Sequence, residues 1–326
     1  MSTAATTGMN PTQREAVLYL DGPCLVLAGA GSGKTRVITQ KIAYLVRECG
    51  YLAKNIVALT FTNKAAREMD ERVKKLIDPS LTKGLTISTF HSLGVRILRE
   101  EAQHACLKPQ FSIFDSDDAM AIVQELLATT DRGRLRSVQQ TISLWKNGLI
   151  DPDGAANIAA TPSEVEAAKV YRSYNATLAA YQAVDFDDLI AVPAMIFERN
   201  PDVREKWQKR VRYLSVDEYQ DTNRLQSDFV DAIGGGHHQI MAVGDDAQSI
   251  YSWRGAKVEH ILSFPERHPG TKMVRLETNY RSIPQILDLA NHSISHNPKQ
   301  FPKNLKAVRE AGVKPAVVAL EDGGQQ

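Results

Sequence analysis

Eight consecutive positions, Ala28, Gly29, Ala30, Gly31, Ser32, Gly33, Lys34 and Thr35, interleave glycines with small residues and end on a lysine and a hydroxyl. Glycines let backbone N–H groups close around phosphate oxygens, and a helix N-terminus directly behind them favours negative charge. Lys34 is then placed to reach the β and γ phosphates of a nucleoside triphosphate, and the Thr35 hydroxyl to hold Mg²⁺. The strict form of such a loop starts with glycine, where this chain has Ala28. Hydrolysis also needs a carboxylate to support the metal and a base for the attacking water. The apolar run 213–216 ends in two acids, Asp217 and Glu218, a layout in which the first supports Mg²⁺ and the second activates water. A GTPase would be expected to carry Asn-Lys-x-Asp. The nearest approach, at 63–66, lacks the acid, so ATP is the expected nucleotide.

These groups need a scaffold. Short apolar or β-branched runs at 25–28, 56–61, 85–89, 213–216, 240–243 and 273–276 read as strands, with longer amphipathic segments between most of them. Buried strands alternating with helices predict a parallel sheet in an α/β fold. From about 111 to 183 the period becomes helical throughout, which reads as a helical insertion, with Asp115 or Ser116 and Ser163 as N-caps. A helix is expected over 283–295 and a last strand over 315–320.

The length of 326 residues suits two or three packed domains, and 43% hydrophobic with 24% charged residues is the composition of a folded globular chain. Neither a membrane span nor a secretory leader is visible, so a cytoplasmic protein is expected. Cys24, Cys49 and Cys106 lack the spacing of a zinc site or a disulfide framework. A net charge of +1 excludes a protein that coats nucleic acid through bulk charge; any such binding must be local.

Several blocks together resemble one family, the superfamily 1 DNA helicases of the UvrD/Rep type. They are Asn-Pro-Thr-Gln at 10–13, the loop at 28–35, TFTNKAA at 60–66, TFHS at 89–92, DFDDL at 185–189, VDEYQD at 216–221, GDDAQSIYSWRGA at 244–256 and NYRS at 279–282. The resemblance implies RecA-like P-loop folding: a first motor domain in two segments, 1–110 and 185–278, a helical insertion domain at 111–184, and the opening of a second motor domain at 279–326. It implies that Gln13 reads adenine, that Arg36 and Tyr280 also contact the nucleotide, and that Gln248 and Arg281 face the γ-phosphate. Phe61, Asn63, His91, Tyr251, Trp253 and Arg254 are implied as single-stranded DNA contacts. Stacking of bases on aromatic rings is worth roughly 1–3 kcal/mol per base and tolerates any sequence, so a small net charge is no obstacle.

What the resemblance implies is an ATP- and Mg²⁺-dependent enzyme that steps 3′ to 5′ along single-stranded DNA and separates duplex junctions, with replication or repair proteins as further partners. The family's later motifs are not found between Ile283 and Gln326, so the chain resembles an N-terminal portion. The alternative is a module that binds ATP and single-stranded DNA without motor activity. Cellular pathway and oligomeric state are not legible in these residues.

Overall fold

In the computed structural model, which describes residues 4–236, 238–252, 255–319 and 324, alternation of strand and helix builds one central parallel sheet. Helix α1 (Pro11–Leu18) precedes strand β1 (Cys24–Ala28), followed by α2 (Lys34–Arg47), β2 (Ile56–Thr60), α3 (Asn63–Leu76), β3 (Thr86–Thr89) and α4 (Phe90–Glu100). A short strand β4 (Ser112–Ile113) opens a run of helices: α5 (Ser116–Leu127), α6 (Arg132–Asn147), α7 (Pro152–Ile158) and α8 (Pro162–Ala180). The chain returns through β5 (Ala183–Val184), α9 (Asp188–Arg199), α10 (Pro201–Arg210), β6 (Tyr213–Val216), α11 (Arg224–Gly234) and β7 (Ile240–Gly244). Then come α12 (Glu259–Leu262), α13 (Phe264–Arg267), β8 (Lys272–Leu276), β9 (Thr278–Asn279), α14 (Pro284–Ile294) and β10 (Lys306–Ala307).

The main sheet has the order β3-β2-β6-β7-β1-β8, with every neighbouring pair parallel. Alternation along each strand divides the core in two. Leu25, Leu27, Val57, Leu59, Leu214 and Val216 face one side, packed with α4, α9, α10 and α11. Cys24, Val26, Ala28, Ile56, Ala58 and Tyr213 face the other, under α1, α2 and α3. Both faces are covered, which is why these strands read as continuous apolar runs rather than alternating ones.

Helices α5–α8 enclose a separate apolar cluster that includes Val123, Val138, Ile142, Trp145, Tyr171 and Leu178. Strands β4 and β5 pair with each other, Ser112 opposite Ala183, so the chain leaves for these helices and comes back at the same place. Asp115 caps α5 in a reciprocal capping box with Asp118. The expected cap at Ser163 moves to Thr161: Pro162 takes the first helical position, where its missing N–H costs nothing, and Glu164 completes the box. The strand expected at 315–320 is not formed over 315–319, and Leu320 lies outside the described residues. Among the described residues its apolar pattern has no strand to pair with, and propensity alone does not make a strand. Among the described residues no helix is long and apolar enough to cross a membrane.

Because the sheet is parallel, the ends of all six strands open on one edge. In open α/β sheets ligands bind at that edge, outside the carboxyl ends of the strands. The motif blocks follow those ends: 28–35 after β1, 61–63 after β2, 89–92 at the end of β3, Asp217 and Glu218 after β6, 245–252 after β7, and Asn279 to Arg281 shortly after β8.

Candidate functional site

The loop after β1 turns through Gly31 (φ 71°) and Gly33 (φ 90°), left-handed conformations that side chains disfavour. A Cβ at Gly33 would stand 2.8 Å from Gln13 Nε2, and one at Gly31 would stand 2.6 Å from Arg281 Cβ, so neighbours as well as backbone exclude larger residues. Gly33 is the N-cap of α2 and supplies no side-chain hydrogen bond to the first turn. The N–H groups at the start of α2 therefore keep their donor capacity for an anion.

Ala30, Gly31, Gly33, Lys34, Thr35 and Arg36 line a cleft of about 440 Å³ together with Glu218, Gln248, Tyr280 and Arg281. Across it Lys34 Nζ donates to Glu218 Oε2 at 2.6 Å. Glu218 holds a left-handed backbone (φ 50°), a conformation that costs a non-glycine residue about 1–3 kcal/mol and is retained where surroundings enforce it. That turn at the end of β6 aims adjacent acids differently. Asp217 is buried, and its Oδ1 accepts the Glu218 N–H at 3.0 Å. Burial first, then the neighbouring Glu218, pushes the Asp217 carboxyl up to about 6, with Lys34 opposing. Asp221 is pushed up to about 6 by the same two causes.

Gln13 is 1% exposed and does not line the cleft. Its Nε2 donates to Ser32 O at 2.9 Å, and its Oε1 accepts the Asn10 N–H in the capping box of α1. Reading an adenine edge would require it to exchange those partners. Arg36 is exposed and donates to Gly8 O at 3.0 Å. Tyr280 donates its N–H to Gly31 O, while its hydroxyl accepts from Asn10 Nδ2 at 2.9 Å, so an exposed ring stands over the loop. Lys303, sequestered between Asp245 Oδ1 (2.6 Å) and Asp246 Oδ1 (2.5 Å), fastens the segment before β10 to the loop after β7.

The expected DNA contacts distribute unevenly. Asn63 is exposed at the start of α3, and Tyr251 is 38% exposed in the loop after β7. Phe61 is half-buried, its ring 5.5 Å from Phe90 and packed on the core. His91 is stacked on Phe186 with ring centroids 4.1 Å apart, and burial lowers its imidazole to about 4. Trp253 and Arg254 lie outside the described residues.

Sequence reasoning passed over Phe186, which is 56% exposed although large and apolar. The one signal for it was an aromatic placed among acids in the block 185–189. Gln220, 1% exposed and hydrogen-bonded to Glu218, was also missed.

The UvrD/REP helicase N-terminal domain family matches residues 9–269. The chain is similar to the ATP-dependent DNA helicase Rep of Escherichia coli K12, 48% identical over 300 residues covering 91% of this chain and 45% of that protein. It is 48% identical over 300 residues to Rep of Salmonella typhimurium, and 43% identical over 312 residues to the ATP-dependent DNA helicase PcrA of Bacillus subtilis, covering 44% and 42% of those proteins. The chain thus spans less than half the length of these curated relatives. With a parallel P-loop sheet, the strand-end acids and this match in place, the chain belongs to the UvrD/REP helicase N-terminal domain family.

Proposed function

We propose that the chain carries the ATP-binding and single-stranded DNA-binding parts of an ATP-dependent DNA helicase, coupling hydrolysis to movement along one strand and opening of duplex junctions. Its 3′ to 5′ polarity rests on the family resemblance alone. The observation that carries the reading is the 2.6 Å contact between Lys34 and Glu218 across the cleft. Lys34 and Glu218 meet there although 184 residues separate them, which supports reading them as a phosphate-binding cation and a general base.

In this reading the bare N–H groups of α2 and the Lys34 ammonium bind the β and γ phosphates. Arg281 presents a planar fork to the γ-phosphate, and Gln248 senses it from the loop after β7. Tyr280 stacks on the base, with Arg36 beside it. Glu218, released from Lys34 by the phosphate, accepts the proton of the attacking water.

Thr35 and Asp217 are hard oxygen donors of the kind Mg²⁺ takes in small number beside phosphate and water. They would hold that ion, which supplies neutralisation of charge developing on the phosphates. Phe186 on its His91 base, Tyr251, Asn63 and Phe61 form the strand-facing surface, with Trp253 and Arg254 assigned there from the motif.

The test is ATP turnover with and without single-stranded DNA. Expected is DNA-stimulated hydrolysis that falls about 10²- to 10³-fold in Lys34→Ala, the scale of losing one phosphate-directed donor. Turnover indifferent to both DNA and Lys34 would end the reading. Tight binding of both ligands without turnover would instead favour a nucleotide-switched binding module.

A further inference from the structure

We infer that Gln220 is the positioning residue that couples the nucleotide cleft to the strand-facing loop 245–252, an inference that rests on the function proposed above. Its side chain is buried between the ends of β6 and β7 and is engaged at both ends. The amide nitrogen donates to Glu218 Oε2 at 2.9 Å and to Asp221 Oδ2 at 3.3 Å. The amide oxygen accepts the Asp245 N–H at 3.0 Å. Asp245 in turn holds Gln248 through Oδ2 at 2.6 Å, and Ser249 Oγ donates to the main-chain carbonyl of Gln220 at 3.3 Å. One side chain therefore joins the candidate base to the stretch that carries Gln248 and Tyr251.

The chemistry of both ends fixes which way the amide points. Turned over, its oxygen would face two carboxylates and its NH₂ would face an N–H, losing every bond. A glutamate could satisfy Asp245 but would set a third carboxylate against Glu218 and Asp221. The backbone makes room for this amide: a Cβ at Gly244 would lie 2.5 Å from Gln220 Oε1, so the end of β7 is kept bare where the side chain passes.

Glu218 Oε2 is shared, because it accepts from Lys34 Nζ as well as from Gln220 Nε2. When a polyphosphate draws Lys34 away, Gln220 is the donor still holding that oxygen, and it then sets where the base points. A strand stacking on Tyr251 shifts the loop, the Asp245 N–H moves the amide, and the amide moves Glu218. Linkage makes the coupling reciprocal, so nucleotide must alter DNA affinity through the same side chain.

The experiment measures the Kd of a fluorescein-labelled oligo-dT for this chain by anisotropy, with and without a saturating non-hydrolysable ATP analogue and Mg²⁺. The readout is the ratio of the two values, which a purely structural role for Gln220 would leave alone. The wild-type ratio is expected to differ from one by about 5- to 150-fold, the usual range for coupled sites, and in Gln220→Ala and Gln220→Glu to collapse to within about twofold of one. Gly244→Ala, whose Cβ would press most closely on the Gln220 amide oxygen and less closely on Ile261 and the Tyr219 backbone, should bring the ratio toward one even if a Gln220 variant fails to fold. A wild-type ratio kept in any folded Gln220 variant overturns the inference, as does a wild-type chain that binds both ligands with a ratio of one. A wild-type chain that binds neither ligand removes the function itself, and the coupling with it.

Discussion

Two lysine–carboxylate contacts of nearly the same length sit in different regions and differ in exposure. In the cleft, Lys34 meets Glu218 at 2.6 Å with side chains 12% and 36% exposed. Under the helical insertion, Lys146 of α6 meets Asp185 at 2.7 Å and Asp188 at 2.8 Å, with Lys146 only 3% exposed. The Lys146 cluster is densely hydrogen-bonded. Tyr174 donates its hydroxyl to Asp185 Oδ2 at 2.8 Å, and Asn147 bridges Asp187 to the α11 cap residue Asn223. Burial alone would lower the Lys146 ammonium, but Asp188 and Asp185 outweigh it and hold the group above its usual range. Distance does not separate the pair proposed to act on phosphate from the buried one. The number of partners and the degree of burial do: Lys34 has one carboxylate across an open cleft and can exchange it for phosphate, while Lys146 is buried and held by two carboxylates at once.

That contrast predicts the largest effect. Removing one member of a buried pair leaves an uncompensated charge at about 3–5 kcal/mol, whereas a partly exposed pair contributes about 0–1 kcal/mol. Lys146→Met should therefore lower the unfolding free energy, followed by urea titration, by about 3–5 kcal/mol. Lys34→Met should move it by under about 1 kcal/mol while lowering turnover about 10²- to 10³-fold. Comparable losses from the two substitutions would break the comparison.

The second contrast is between exposed aromatics. Phe186, at the strand-end edge, lies on His91, while Tyr181, 65% exposed, sits by β5 with Phe114 as its ring neighbour. Phe186→Ala should weaken oligo-dT binding by about 1–3 kcal/mol, one stacked base, and Tyr181→Ala should leave it unchanged. Equal effects in a fluorescence titration would show that exposure, rather than position at the sheet edge, selects for bases.

Legibility follows the same division. The loop at 28–35 and the Asp217–Glu218 pair were readable because each is a local chemical unit attached to a strand of its own, and the strand runs were readable because both their faces are buried. The partners of Lys146 and Lys303 were not. They lie 39 and more than 50 residues away, where no periodicity links them. Gln220 stood in plain view inside VDEYQD, yet its use depends on the bare Gly244 of another strand. Helix caps erred by two residues where Pro162 decided between Thr161 and Ser163, and the strand expected at 315–320 is absent over 315–319, which have no neighbouring strand among the described residues.

The smallest expected effect concerns His91, which links the two regions by stacking on Phe186 just ahead of α9. Burial lowers its imidazole from 6.5 to about 4, so the folded chain binds this proton less readily than the unfolded chain does. A depressed value of this kind contributes stability that is fully present above pH 6.5 and is lost as pH falls toward 4. Thermal melts of wild type and His91→Phe, which keeps an aromatic ring beneath Phe186, should run parallel above pH 6.5. Below it the wild-type melting temperature should fall faster, and curves that stay parallel down to pH 4 would mean the ring is not held neutral. Because the ring is neutral across pH 6.5 to 8, the Phe186–His91 stack there is a pair of uncharged aromatics. Oligo-dT affinity should be flat over that window, apart from groups outside this stack, and it should weaken only where acid begins to undo the platform itself.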